Sequence, residues 1–268
     1  MRVTLLGTGT ALPTSRRVQS GALVESDDRS RRVLVDCGSG VLHRLPQADT
    51  GVEDVDAALI THTHLDHVAD LASLVKARVL AGTAEFLVVG PPGIDAALDN
   101  LLAVDDVRER ADLTVQEIDA GPVDVAGFDV TAFEADHSKP TLGYRFDGDG
   151  TNDGDAADGR DGGGTSGGGT KGGVTFSGDT TPSETVAEAA DGSAVLVHDC
   201  AHPDGGDVEN HATPSGLGGV LAGRDVGRVY LTHLYPDTHG MEGAMTATVE
   251  GRFDGEVMIA NDLETFEV

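Results

Sequence analysis

Between residues 59 and 68 the chain reads Leu-Ile-Thr-His-Thr-His-Leu-Asp-His-Val. Four of these side chains, His62, His64, Asp66 and His67, are imidazoles and a carboxylate, the donors that borderline divalent metals take. Three of the chain's ten histidines fall in this stretch. His62 and His64 lie two apart in an extended turn, so they point to the same side and can share one ion. Asp66 and His67 are aimed differently and could serve a second. The chemistry of such a pair of ions is hydrolysis. Water between two Lewis acids ionises near neutral pH, and the ions stabilise the charge that grows on a phosphoryl or acyl oxygen. The plain alternative is a polar loop that is histidine-rich by chance.

The surrounding pattern sets the cluster where a strand turns into a helix. Residues 55–60 form an apolar run interrupted by Asp56, and residues 67–81 carry Val68, Leu71, Leu74, Val75 and Val79 at close to a 3.6 period. Before them, strand signals at 2–6, 20–25 and 31–36 alternate with turns, as in a β-meander. Gly7 and Gly9 form a Gly-x-Gly pair with neither a third glycine nor a following helix, so a dinucleotide site is not expected. After the cluster come a strand at 85–89, a helix at 94–104, and strands near 113–118 and 128–133. Residues 147–173 are mostly Gly, Asp, Thr and Ser. They cannot bury enough to offset ordering entropy, and read as a mobile acidic insertion. Beyond them strands at 174–177, 194–197, 228–231 and 256–259 alternate with helices at 183–190, 214–222 and 240–249. Strands first, then strands mixed with helices, in two halves of similar size, fit an α/β fold: a four-layered αβ/βα sandwich over residues 1–268 as one domain.

Composition narrows the setting. There are 18 basic against 46 acidic residues, a formal charge of −28, and the only lysines are Lys76, Lys139 and Lys171. Such a surface suits concentrated salt, where repulsion is screened over roughly 3 Å at 1 M, and points to a halophile. No apolar stretch approaches the roughly 20 residues of a membrane span, and the N-terminus has no signal-peptide layout, so a cytoplasmic protein without membrane partners is expected. Cys37 and Cys200 are too few for a disulfide framework and read as free thiols.

His-x-His-x-Asp-His at a strand end resembles the signature of the metallo-β-lactamase superfamily. The opening run from Leu6 to Arg16, Leu-Gly-Thr-Gly-Thr-Ala-Leu-Pro-Thr-Ser-Arg, resembles the start of its ribonuclease Z-like branch, and Val35-Asp36-Cys37-Gly38-Ser39-Gly40 resembles the next block. The resemblance implies that sandwich and two Zn²⁺ ions, with Mn²⁺ or Fe²⁺ as alternatives. It also implies ligands far downstream. His137, before Gly143-Tyr144-Arg145, would join His62 and His64 on one ion; His233 would join Asp66 and His67 on the other; Asp179 would bridge them. By themselves His137 reads as a loop histidine and Asp179 as a turn or capping aspartate. Asn210-His211-Ala212-Thr213 resembles the branch's His-Ser-Thr block, which makes His211 catalytic. In this scheme a bridging hydroxide attacks, Asp66 accepts the proton and His211 donates to the leaving oxygen. Asp36 either supports a ligand from behind or is a solvated turn residue. A supporting role is open for His198-Asp199, while His43, His202 and His239 read as surface or loop residues.

The ligand set leaves the ions with net positive charge, so an anionic ester is expected, with Arg145 beside Tyr144 in the site wall. The sequence departs from ribonuclease Z in two places. It has no basic Gly/Pro-rich arm between His137 and Asp179 to grip transfer RNA, and Gly38-Ser39-Gly40-Val41-Leu42-His43 stands where a Glu-Gly-Thr-Gln run belongs. Aspartate at 179, in place of the cysteine of subclass B1 β-lactamases, argues against antibiotic hydrolysis, and Val68-Ala69-Asp70 lacks the glycines of glyoxalase II. The reading is a dinuclear zinc phosphodiesterase acting on a small anionic ester, with RNA as a further substrate and a homodimer as a further partner. An arylsulfatase or lactonase with the same site, or a non-catalytic metal-binding scaffold, are the alternatives.

Overall fold

The computed structural model describes residues 1–12, 14–105, 107–148, 172–206 and 209–268. The first half runs β1 (Arg2–Gly7), β2 (Gly21–Glu25), β3 (Arg32–Val35), α1 (Val41–Arg44), β4 (Ala57–Leu59), α2 (Leu65–Val68), α3 (Leu71–Ala81), β5 (Glu85–Gly90), α4 (Ile94–Leu102) and β6 (Asp112–Glu117). The second runs β7 (Gly121–Val125), β8 (Phe128–Ala135), β9 (Thr141–Phe146), β10 (Val174–Phe176), α5 (Glu184–Ala190), β11 (Val195–Asp199), α6 (Pro214–Val220), β12 (Arg228–Thr232), α7 (Glu242–Glu250), β13 (Glu256–Ile259) and β14 (Glu264–Glu267). One sheet has the order β14-β1-β2-β3-β4-β5-β6 and the other β13-β12-β11-β10-β9-β8-β7.

The two-residue period of a strand sends alternate side chains to opposite faces, and that alternation builds the layers. In β3, Val33 and Val35 face the other sheet while Leu34 faces the helices; in β4, Ala57 and Leu59 face inward while Ala58 faces the helices. Val41, Leu45, Leu71, Leu74, Val75, Ile94 and Leu98 cover the outer face of the first sheet. Ala187, Ala190, Leu217, Leu221, Met245 and Val249 cover the second over Leu196, Val229 and Leu231. Between the sheets lie Leu5, Val24, Leu59 and Val89 against Phe128, Tyr144, Phe146, Val197 and Tyr230. The result is two mixed sheets face to face with helices outside, the expected four-layered αβ/βα sandwich.

Each sheet is antiparallel on one side and parallel on the other. β3, β4, β5 and β6 pair in parallel, as do β10, β11, β12 and β13. Parallel strands present their carboxyl ends along one edge, where open α/β sheets bind ligands.

Several elements differ from the sequence-based expectation. The helix expected over 67–81 is two pieces, Leu65–Val68 and Leu71–Ala81, with Asp70 as the N-cap of the second. The Asp70 N–H donates to Cys37 O at 3.0 Å and its carboxylate accepts from the N–H groups of Gly40 and Leu42 at the start of α1. Strands β7, β9 and β14 were not expected. The insertion expected at 147–173 lies, from 149 to 171, outside the described residues, and the strands flanking it, β9 and β10, pair antiparallel with Val174 opposite Phe146. Among the described residues no helix is long and apolar enough to cross a membrane.

Candidate metal centre

Each candidate residue follows or borders an element that ends at the same rim. His62, His64, Asp66 and His67 lie on the turn from β4 into α2, His137 on the β8–β9 turn, Asp179 just after β10, His211 before α6 and His233 just after β12. Backbone bonds lock the loops together: Leu142 N donates to Thr61 O at 3.0 Å and Leu234 N to Thr8 O at 3.1 Å. The hydroxyl of fully buried Tyr144 donates to Ile60 O at 2.7 Å and pins the exit from β4. Close approach is paid for with glycine at 38, where a Cβ would stand 2.0 Å from Asp66 O. His233 and Asp36 adopt left-handed backbone, at φ 58° and 62°, a conformation that non-glycine residues seldom hold away from functional sites.

Seven of these eight residues come together in two trios and a link, and His211 stacks beside His233 at 5.1 Å between ring centroids. His64 Nδ1 is 3.0 Å from His62 Nε2 and 3.1 Å from His137 Nε2. Asp66 Oδ2 is 3.9 Å from both His67 Nε2 and His233 Nε2. Between the trios, Asp179 Oδ2 lies 3.2 Å from His233 Nε2, 3.3 Å from His67 Nε2 and 3.7 Å from His62 Nε2. His62, His64 and His137, and separately Asp66, His67 and His233, place one donor each within 4.8 Å of one another, as could hold a metal ion.

The fold also fixes the imidazole tautomers. His67 Nδ1 donates to Asp36 at 2.7 Å, His137 Nδ1 to Asn210 O at 2.9 Å, and His211 Nδ1 to Asp199 at 2.9 Å. His62 Nδ1 faces the hydroxyl of Thr61 and His233 Nδ1 that of Ser20, both at 3.1 Å. An oxygen on Nδ1 leaves the Nε2 lone pair free, which is how ligating histidines are oriented. His62 and His137 therefore aim lone pairs at one atom of His64, whose single N–H can serve only one of them. His67 Nε2 is buried with no hydrogen-bond partner. Crowded lone pairs, an orphaned buried nitrogen and two adjacent carboxylates fit divalent cations.

Burial alone would raise the Asp179 carboxyl, but His233, His67 and His62 hold it well below the ordinary range. Asp199 is pushed up to about 6 by burial. Burial lowers His211, but the hydrogen bond and charge of Asp199 raise it more, so its net shift is upward.

Asp36 is no solvated turn residue: it is 5 % exposed and accepts from Thr61 N and Oγ1 as well as from His67. Asp199 and His198 separate, since Asp199 carries His211 while His198 Nδ1 donates to the Asp199 carbonyl. Arg145 does not line the site, and this corrects the sequence-based expectation. Its guanidinium donates to the carbonyls of Ala189 and Asp191 at the end of α5 and to Asp147, as unpaired carbonyls at a helix C-terminus invite. Sequence reasoning missed Lys139, which reaches Thr63 beside His64, and the pair His202 and Tyr235, whose rings stand near His211. None of the three sits in a motif, and only the meeting of distant loops reveals them.

Residues 31–234 match the family model described as the beta-lactamase superfamily domain. Ribonuclease Z of Mycolicibacterium gilvum (strain PYR-GCK) is 28% identical over 298 aligned residues, covering 100% of this chain and 96% of that protein. Among solved structures, the metallo-beta-lactamase fold protein YhfI from Bacillus subtilis superposes with a TM-score of 0.78 at 22% identity, over 100% of this chain and 99% of that one. The short form of human tRNase Z does so with a TM-score of 0.74 at 20% identity, also over 100% and 99%.

Proposed function

The chain belongs to the metallo-β-lactamase superfamily and is a metal-dependent hydrolase, and from that premise we propose a dinuclear zinc phosphodiesterase that acts on small anionic diesters. The observation that carries this reading is Asp179 Oδ2, which stands within 3.7 Å of nitrogens from both trios and so is positioned to join two ions. His62, His64 and His137 would hold one, Asp66, His67 and His233 the other, with Asp179 shared; nitrogen and carboxylate donors suit zinc, and manganese or iron as well. Ions bound there would supply Lewis acidity and a water acidic enough to attack at neutral pH. The remaining work falls to side chains. Asp66, whose Oδ2 lies 3.9 Å from His233 Nε2, is placed to take a proton, while His211, its ring braced by Asp199, is placed to give one to the leaving oxygen. Lys139, on the rim by Thr63, offers a cation to a phosphate entering from that side.

The relatives named ribonuclease Z support a phosphodiester over a sulfate or lactone. A chain with 46 acidic and 18 basic residues supports a small substrate over a long RNA, because phosphate-rich RNA is gripped by Lys and Arg and repelled by carboxylates. The test compares kcat/KM for bis(p-nitrophenyl) phosphate with that for a precursor tRNA at about 0.2 M and about 2 M KCl, conditions that span weak and strong screening. The small diester should be the better substrate at both. Efficient 3′ processing of the tRNA with the diester untouched would replace this reading with transfer RNA maturation.

A further inference from the structure

The chain holds seven Phe, three Tyr and no Trp. Every one of these rings is buried except that of Tyr235, which is partly exposed. A chain that hides all its other large rings in the core keeps this one at the mouth of the metal centre. Tyr235 stands edge-on to His211 at 6.0 Å and to His233 at 6.1 Å between ring centroids.

The ring is held and extended by its neighbours. Tyr235 N donates to Ala201 O, and both the N–H and the hydroxyl of Thr238 donate back to Tyr235 O, so the segment after β12 is tied down on both sides. Pro236, first residue of the short helical turn Pro236–Thr238, stiffens the exit. His202 lies on the Tyr235 ring at 4.4 Å and 25°, and its Nδ1 is fixed to Asp237 at 2.8 Å. The His202 ring is 26% exposed and its centroid is 6.5 Å from that of His211. Two flat rings, already stacked and partly open to solvent, thus border the imidazole placed to protonate a leaving group.

We propose that the His202–Tyr235 stack is a platform for the nucleobase of a substrate whose phosphate sits at the histidine cluster. This rests on the phosphodiester reading above. An acidic surface has few cations with which to hold a nucleotide, whereas base stacking needs no charge and contributes roughly 1–3 kcal/mol per base. The stack therefore selects nucleoside diesters over diesters that carry no ring on that side.

The test uses the full-length, zinc-loaded protein and two esters with one leaving group, thymidine 5′-(p-nitrophenyl phosphate) and methyl p-nitrophenyl phosphate. The wild type should prefer the nucleoside ester. Tyr235→Leu and His202→Ala should each lower the ratio of the two kcat/KM values by about 10- to 100-fold, while Tyr235→Phe keeps it. Equal losses on both esters would give the rings a structural role only and overturn the proposal. Calorimetry with thymidine 5′-monophosphate, phenyl phosphate and inorganic phosphate gives a readout free of catalysis. The nucleotide should bind the wild type more tightly than either other ligand, and the advantage should vanish in Tyr235→Leu. Phenyl phosphate binding as tightly as the nucleotide would overturn the nucleobase assignment, and a nucleotide no tighter than phosphate would overturn the platform. If neither ester turns over yet the nucleotide advantage is present and lost in Tyr235→Leu, the phosphodiesterase reading fails and the platform stands.

Discussion

Asp199 governs what His211 can do. It is 1 % exposed, one of its oxygens accepts from both His211 Nδ1 and Thr180 N, and the other has no hydrogen-bond partner. A buried carboxylate on Nδ1 both orients the ring and keeps a proton available on Nε2. His211→Ala should lower kcat by the ~10²–10⁴ expected for a general acid, with metal content unchanged. Asp199→Asn should lose nearly as much, because an amide in that place can present its own N–H to Nδ1 and reverse the tautomer. The double variant should be little worse than either single one, since the two residues act as one unit. Losses that multiply would mean that Asp199 works through something other than His211.

Strand alternation, more than any motif, decides which residues reach the centre. With β11 ended at residue 197, His198 and Asp199 read as one polar tail. The strand runs on to Asp199, so Asp199 shares the inner face with Val195 and Val197 while His198 shares the outer face with Leu196. The metal cluster was legible because its residues are adjacent in sequence and follow an apolar strand. The ligand candidates far downstream were legible only through short blocks around them. β9 was hidden by Gly143 in its middle, and that glycine is there because a Cβ would stand 2.2 Å from the Phe133 ring across the strand pair. Tyr235 and His202 were not legible because loops after different strands bring them together. The outward-facing His198 has a consequence of its own: burial lowers it to about 4. A histidine neutral in the fold and ordinary when unfolded contributes stability that is full above pH ~6.5 and falls as the unfolded chain gains its proton, by roughly 2 kcal/mol at pH ~5. Unfolding free energies of metal-free protein from urea titration should therefore drop between about pH 7 and pH 5, and the drop should be smaller by about that amount in His198→Asn, which keeps a donor but cannot titrate. Equal drops in both proteins would remove His198 from the pH response.

Taken whole, the molecule sets a cluster of nitrogen and carboxylate donors at the carboxyl edge of two facing sheets, inside a chain of net charge −28. The fold brings this about by running β10, β11 and β12 in parallel, so that Asp179, Asp199 and His233 leave the second sheet on the side where His62 and His67 leave the first. On the proposed reading, cations held at the donors and anions over the surface would admit a small anionic ester and disfavour a long one. That proposal depends on two ions sharing one carboxylate, so the direct measurement is metal content after zinc loading and removal of loosely bound ion. Wild-type protein should hold about two ions per chain. His64→Ala and His233→Ala should each keep about one, from opposite trios, and Asp179→Ala should weaken the retention of both. Wild-type protein that retains no zinc, or an Asp179→Ala protein that still retains a full pair, would contradict the shared-carboxylate centre.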